Sequence, residues 1–364
     1  MKFFTVLMFA LSMFFTHGVI AHDSTMVINP RMIGIKGHYG YIIPYHKDKK
    51  EVSASAPTGF QLEYMHHLNT QDVWNRLGYY PRVGISFSYV DYSNSLVLGN
   101  SYSLCAFFEP FLTVDRKFNQ SFRLGFGASY LDKPYHSVSN PENMFFSSPI
   151  SLFIQLNTAI NYSVSEYIDL SLSANFSHIS NGSIKKPNRG INFPTLAMGL
   201  NYKLNKTEFV KRNRQLSKEE IHGKLWRVYT GISTSFKSDY HGNEFQVHGL
   251  EIMVGRIVSR VSALNIGVDI SHDRSLITPV FYSEDIQYRP TFVSAILTHE
   301  LLLGRFYLDQ SFGVYCTKPT SETFPVYQKI GFGFIPIRNI SLGITLKAHK
   351  ISAEYLGVKL GVRM

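Results

Sequence analysis

The sequence predicts an all-β protein, an antiparallel transmembrane β-barrel, on three observations: strict two-residue alternation, an aromatic but hydropathically neutral composition, and an export leader. Alternation is clearest over residues 168–181, IDLSLSANFSHISN, where Ile168, Leu170, Leu172, Ala174 and Phe176 are apolar. Between them stand the small polar Asp169, Ser171, Ser173, Asn175 and Ser177. A period of two makes a strand with one face on an apolar medium and one on a polar medium. The chain is 14% aromatic, with 22 Tyr and 28 Phe, yet its mean hydropathy is only −0.05. Two-faced strands average to that value, whereas helical membrane spans do not.

The N-terminus begins with Lys2, an apolar run Phe3 to Phe15 and a segment ending Val19-Ile20-Ala21. That is the pattern of a secretory signal peptide over residues 1–21, with cleavage after Ala21 and a mature start at His22. The run is too short for a membrane helix, which needs about 20 residues. With a barrel behind it, the leader points to the outer membrane of a Gram-negative bacterium.

Strand patterns follow at about residues 31–44, 57–68, 80–91, 95–112, 119–130, 148–160, 166–179 and 192–204. They resume at about 223–236, 243–257, 259–272, 289–301, 304–316, 323–335, 339–348 and 351–363. This even number is what bacterial single-chain barrels require. Long connections (45–56, 131–147, 180–191, 273–288) alternate with short turns such as Ser163–Ser165 and Ile337–Asn339, which sorts them into extracellular loops and periplasmic turns. Two connections on the turn side, 69–79 and 205–222, are longer than that rule expects.

The segment 205–222, NKTEFVKRNRQLSKEEIH, reads as a charged periplasmic linker or short helix with eight strands on each side. Related patterns recur in the halves: FRLGFGASY and LAMGLNYKL in the first, YLDQSFGVY and LGVKLGVRM in the second. The expected organisation is therefore a barrel over 22–204 and a second, diverged barrel repeat over 223–364, with one sixteen-strand barrel as the alternative. The terminal Met364 departs from the aromatic residue common at the end of such barrels.

A formal charge of +10 would suit nucleic acid, but export makes lipopolysaccharide the relevant polyanion and excludes nucleic acid as a partner. Cys105 and Cys316 lie on separate strands at a spacing that fits no metal or redox motif, and are expected as free thiols. No metal or cofactor is expected, and the sequence leaves the oligomeric state open.

His178 and Ser180 continue the apolar row of their strand, so a base and a nucleophile face outward together. Alternate strand residues lie about 6.6 Å apart, within side-chain reach of one another. Ser attacks an ester weakly unless a base takes its proton, and the oxyanion then formed needs donors such as Asn amides or a Gly N–H. At a strand end, such a pair meets both water and the ester bonds of a glycolipid.

The segment 176–204, FSHISNGSIKKPNRGINFPTLAMGLNYKL, resembles the lipid A 3-O-deacylase (PagL) family, also described as acyloxyacyl hydrolase-like. The match is His-x-Ser-Asn, then Pro-Asn-x-Gly, then an alternating strand, in a barrel covering about residues 30–204. The resemblance implies an outer-membrane esterase that removes an ester-linked 3-hydroxyacyl chain from lipid A. Ser180 would be nucleophile and His178 base, with Asn181, Asn188 and Gly190 near the oxyanion. Lys185, Lys186 and Arg189 would be placed to contact lipid phosphates. The family's glutamate is replaced by Asn192, which shares parity with Leu196 and Met198 and is expected beside His178. An amide can hold an imidazole tautomer but cannot neutralise an imidazolium. Asp169 has the wrong parity to substitute. His349 and Ser352 lack the flanking motif and are expected to be non-catalytic. The rival reading is an inactive barrel serving as a pore, adhesin or structural protein.

Overall fold

The computed structural model describes residues 30–43, 55–112, 116–206, 209, 216–239, 243–277, 286–337, 339–350 and 352–364. The signal peptide with its cleavage site after Ala21, and most of loop 45–56, lie outside the described residues.

Sixteen named strands form two closed antiparallel barrels. The first contains β1 (Arg31–Gly40), β2 (Thr58–His67), β3 (Arg82–Asp91), β4 (Asn100–Glu109), β5 (Phe118–Leu131), β6 (Ile150–Ser163), β7 (Ile168–Ser180) and β8 (Ile191–Lys203). The second contains β9 (Trp226–Ser238), β10 (Glu244–Ser259), β11 (Ser262–Asp273), β12 (Thr291–Leu303), β13 (Phe306–Tyr315), β14 (Val326–Ile337), β15 (Ile340–His349) and β16 (Ser352–Arg363). Each strand pairs with its neighbours in sequence. Closure comes from β1 on β8, with Ile35 opposite Leu200, and from β9 on β16, with Ile232 opposite Leu360. The sixteen-strand alternative is thereby excluded: each set of eight satisfies its own edges.

Parity decides the faces. On β7 and β8, Leu170, Leu172, Leu196 and Met198 point outward and are 45–75% exposed, while Asp169, Ser171 and Asn201 are buried inside. Apolar side chains exposed to that degree all around both barrels would aggregate in water and are suited to hydrocarbon. The expected result of Leu172→Arg is a loss of about 2–4 kcal/mol, whereas Ser173→Thr, on the inner face, should cost less than about 1 kcal/mol. Denaturant unfolding in lipid vesicles measures both. Equal penalties would mean that the faces are reversed.

The interiors are packed with ion pairs. In the first barrel Arg123 binds Glu63 and, at 2.7 Å, Glu109, while Asp169 holds Arg82 at 3.0 Å and Lys203 at 2.7 Å. In the second barrel Lys329 bridges Asp269 (2.5 Å) and Glu251 (3.1 Å), and Glu300 gathers Arg227 (2.5 Å) and Arg363 (2.8 Å). Small barrels fill their lumen with side chains in this way. Cys105 is buried, Cys316 is exposed, and both are free thiols.

The two long turn-side connections contain short helices. In α1 (Gln71–Leu77), Thr70 caps the start and Gly78, in the left-handed region, ends it. In α2 (Lys218–His222), Ser217 and Glu220 form a reciprocal capping box. At the opposite end, residues 132–149 fold back over the barrel mouth rather than standing free. There Phe145 and Phe146 are buried with Tyr92, Ile179, Ile191 and Phe193.

Candidate active site

The last residues of β7 and the first of β8 bring together what the sequence separates by a loop. His178 is the direct cross-strand partner of Asn192, and both side chains lie on the outer face. His178 Nδ1 is 2.7 Å from Asn192 Oδ1, and His178 Nε2 is 3.0 Å from Ser180 Oγ. An amide oxygen only accepts, so Nδ1 carries the proton and donates it to Asn192. Nε2 is then bare and accepts the Ser180 hydroxyl. That is the tautomer a general base needs. Ser180 is almost fully buried, at 5% exposure, and His178 is half-buried, so the pair lies beneath its loop rather than in open lipid.

The loop 181–190 that follows is strapped on several sides. Asn188 Oδ1 accepts the Asn181 backbone N–H at 3.1 Å. Asn181 Nδ2 donates to the Lys185 carbonyl at 2.8 Å and to Ser147 Oγ at 3.3 Å. Two backbone bonds tie the loop's end to the folded-back segment, Arg189 N to Met144 O (3.2 Å) and Gly190 N to Phe145 O (2.8 Å). These bonds correct part of the oxyanion expectation. The Gly190 N–H is spent on Phe145, and the Asn181 amide on the loop itself, so neither points a donor at the reacting centre. Asn188 is held by its oxygen at the turn of the loop.

Gly190 contributes space. Its φ of +70° is the left-handed conformation that favours glycine. A Cβ there would lie 2.8 Å from His178 Cε1 and 3.2 Å from Ser180 Cβ.

Lys185 and Arg189 are exposed on the rim. Lys186 turns away from the rim toward Lys237 and Asp239 of the second barrel, in a polar cavity of about 380 Å³. Burial there, reinforced by the nearby Lys237 ammonium, lowers its pKa. His349 pairs across the strand turn with Ser352, but its Nε2 meets Tyr315 Oη at 3.0 Å and its Nδ1 lies 3.4 Å from Glu354. It is engaged away from any serine hydroxyl. Among the described residues no group of His, Cys, Asp and Glu is placed to hold a metal ion.

Sequence reasoning missed the support around the site. Ser147 Oγ donates to the Lys185 carbonyl at 2.9 Å, and Asn143 Oδ1 accepts the Phe145 N–H at 3.0 Å. The adjacent Phe145-Phe146 pair inside a supposedly solvated loop was the available signal. Contacts from the second barrel had none.

Comparison with known proteins gives one family match in each barrel. Residues 58–201 match the family model described as Lipid A 3-O-deacylase (PagL). Residues 225–364 match the model described as Acyloxyacyl hydrolase, C-terminal domain. Among solved structures, Neisserial surface protein A (NspA) is similar at 12% identity, covering 48% of this chain and 97% of that one, with a TM-score of 0.34. The outer membrane enzyme PagL is similar at 14% identity, covering 46% and 97%, with a TM-score of 0.31. No curated protein sequence matches the chain. The first barrel is thus similar to the PagL family and the second to the acyloxyacyl hydrolase C-terminal domain.

Proposed function

We propose that this two-barrel protein is an outer-membrane esterase that hydrolyses an ester-linked 3-hydroxyacyl chain of lipid A, with Ser180 as nucleophile. The observation that carries this reading is the bonded chain Ser180–His178–Asn192 on the outward face of the first barrel, at the strand end. The family match over residues 58–201 supports the substrate class. The filled interiors favour chemistry on the outer surface over a pore.

In this mechanism His178 Nε2 takes the Ser180 proton as Oγ bonds to the ester carbonyl carbon. The carbonyl oxygen becomes an oxyanion facing the Asn188 amide nitrogen. Collapse breaks the bond to the sugar oxygen, which leaves with the proton from His178 Nε2. Water, deprotonated by the same nitrogen, then attacks the acyl-serine and frees the fatty acid. Throughout, Asn192 Oδ1 holds the Nδ1 proton and keeps the ring oriented. Lys185 and Arg189, exposed on the loop rim, would grip the lipid phosphates. Lys186 is turned toward the second barrel and contributes less. The leader over residues 1–21 would deliver the chain to the outer membrane.

Asn192 makes the reading testable. Purified wild-type protein should release 3-hydroxy fatty acid from lipid A, and Asn192→Glu should raise turnover by about tenfold, because a carboxylate stabilises the imidazolium that an amide cannot. Free fatty acid measured by gas chromatography decides it. An unchanged rate in Asn192→Glu would show that this position does not act on His178. No release by wild type would sink the esterase reading.

A further inference from the structure

The nucleophile has two neighbours on the outer surface. On the β8 side stands Gly190, and on the β6 side stands Leu152, the cross-strand partner of Ser180. An ester bonded at Ser180 must send its hydrocarbon tail past one of them.

Leu152 is anomalous for an outward residue. Leu156 and Ile160, farther along the same face of β6, are 50% and 55% exposed, whereas Leu152 is 6% exposed. The cover comes from the second barrel. Leu152 packs with Leu356 of β16, itself 2% exposed, together with Leu346 of β15 and with Phe126 and Ile184 of the first barrel. Phe126 in turn stacks on Phe332 of β14, with ring centroids 5.7 Å apart.

Polar contacts fix this junction at the catalytic loop. Ser183 Oγ donates to the Ala353 carbonyl at 2.8 Å, and the Ser238 N–H donates to the Ser183 carbonyl at 3.2 Å. Gly182 lies so close to β16 that a Cβ on it would fall 2.5 Å from the Leu356 Cβ. Leu152 also lines a largely apolar cleft of about 1500 Å³ between the barrels. Ile154 and Phe126 line one wall, and Phe332, Leu346, Leu356 and Val358 the other. Ile154 is the cross-strand partner of His178, so the cleft's lining includes the neighbours of both members of the pair.

We infer that the second barrel forms the far wall of the acyl-chain site, with the substrate's hydrocarbon tail lying in this inter-barrel cleft and Leu346 and Leu356 acting as chain-length determinants. This rests on the proposed esterase reading. The argument is continuity. The cleft's lining reaches the residue paired with Ser180, is mostly apolar, and comes from both barrels, whereas the outer face of β8 carries exposed positions such as Leu196, 64% exposed. A chain held between two walls contacts protein at successive methylenes, and such a site discriminates length.

The test uses the full chain in detergent micelles with p-nitrophenyl butyrate, octanoate and palmitate. Leu356→Trp and Leu346→Trp each narrow the cleft, and folding is checked by heat-modifiable gel mobility. In both variants kcat/KM for palmitate should fall on the order of tenfold, mainly through KM, with butyrate little changed. If Leu356→Trp fails to assemble, Leu346→Trp carries the test. Leu196→Trp, on the opposite side of the pair, should leave the profile as in wild type. Unaltered profiles in the cleft variants, equal losses for every ester, or a change confined to Leu196→Trp would each overturn the inference while leaving the esterase reading standing. A wild type inactive on all esters would overturn both.

Discussion

Replacing Ser180 with Ala is expected to abolish deacylation, with a loss on the order of 10³-fold or more, while the barrel assembles normally. The size follows from what the hydroxyl does. His178 Nε2 has no proton to take and no oxygen to activate once Oγ is gone, and members of such a unit are not additive. Folding should be spared, because Ser180 ends β7 and its hydroxyl bonds to His178 rather than to the barrel framework. Rates of ester cleavage by purified variant and wild type, with heat-modifiability as the fold check, measure it. A variant retaining most of its activity would remove Ser180 from the mechanism.

Gly190→Ala should be nearly as damaging through geometry alone. The new methyl would meet His178 Cε1 at 2.8 Å, Ser180 Cβ at 3.2 Å and the Ile179 carbonyl at 3.3 Å, on a backbone with φ of +70°. The backbone strain costs about 1–2 kcal/mol, a modest fraction of a barrel's stability. The imidazole is the softest of the three neighbours, so it should give way and lengthen the 3.0 Å bond to Ser180. Misplacement of about 1 Å is enough for a loss on the order of 10²-fold in rate. Turnover with intact heat-modifiability is the expected result, lowered to that extent. Wild-type turnover in Gly190→Ala would mean that the loop does not confine the histidine.

Much of this was legible in the sequence because the controlling signals are local. Two-residue alternation fixes the face of every residue on a strand, so the outward parity of Leu172, His178 and Asn192 could be read directly. The pairing of His178 with Asn192 follows from parity and the intervening loop, and the structure brings them into register. The first short helix was not legible: α1 has only seven residues and takes its definition from the caps Thr70 and Gly78 rather than from an apolar stripe. Nor was the fate of the Gly190 N–H, since its acceptor is the backbone carbonyl of Phe145, and a carbonyl carries no residue identity. The bond from Ser183 to Ala353 crosses 170 residues, and its donor sits in a loop without periodicity. Sequence patterns register what a residue faces within its own strand. They do not register what another barrel lays against it.

The most direct measurement is mass spectrometry of lipid A extracted from Gram-negative cells expressing the wild-type chain or Ser180→Ala at equal levels in the outer membrane. The account predicts that wild-type expression shifts lipid A down by the mass of one ester-linked 3-hydroxyacyl group, and that Ser180→Ala leaves it unshifted. Lipid A that keeps all its acyl chains in cells carrying folded wild-type protein would contradict it.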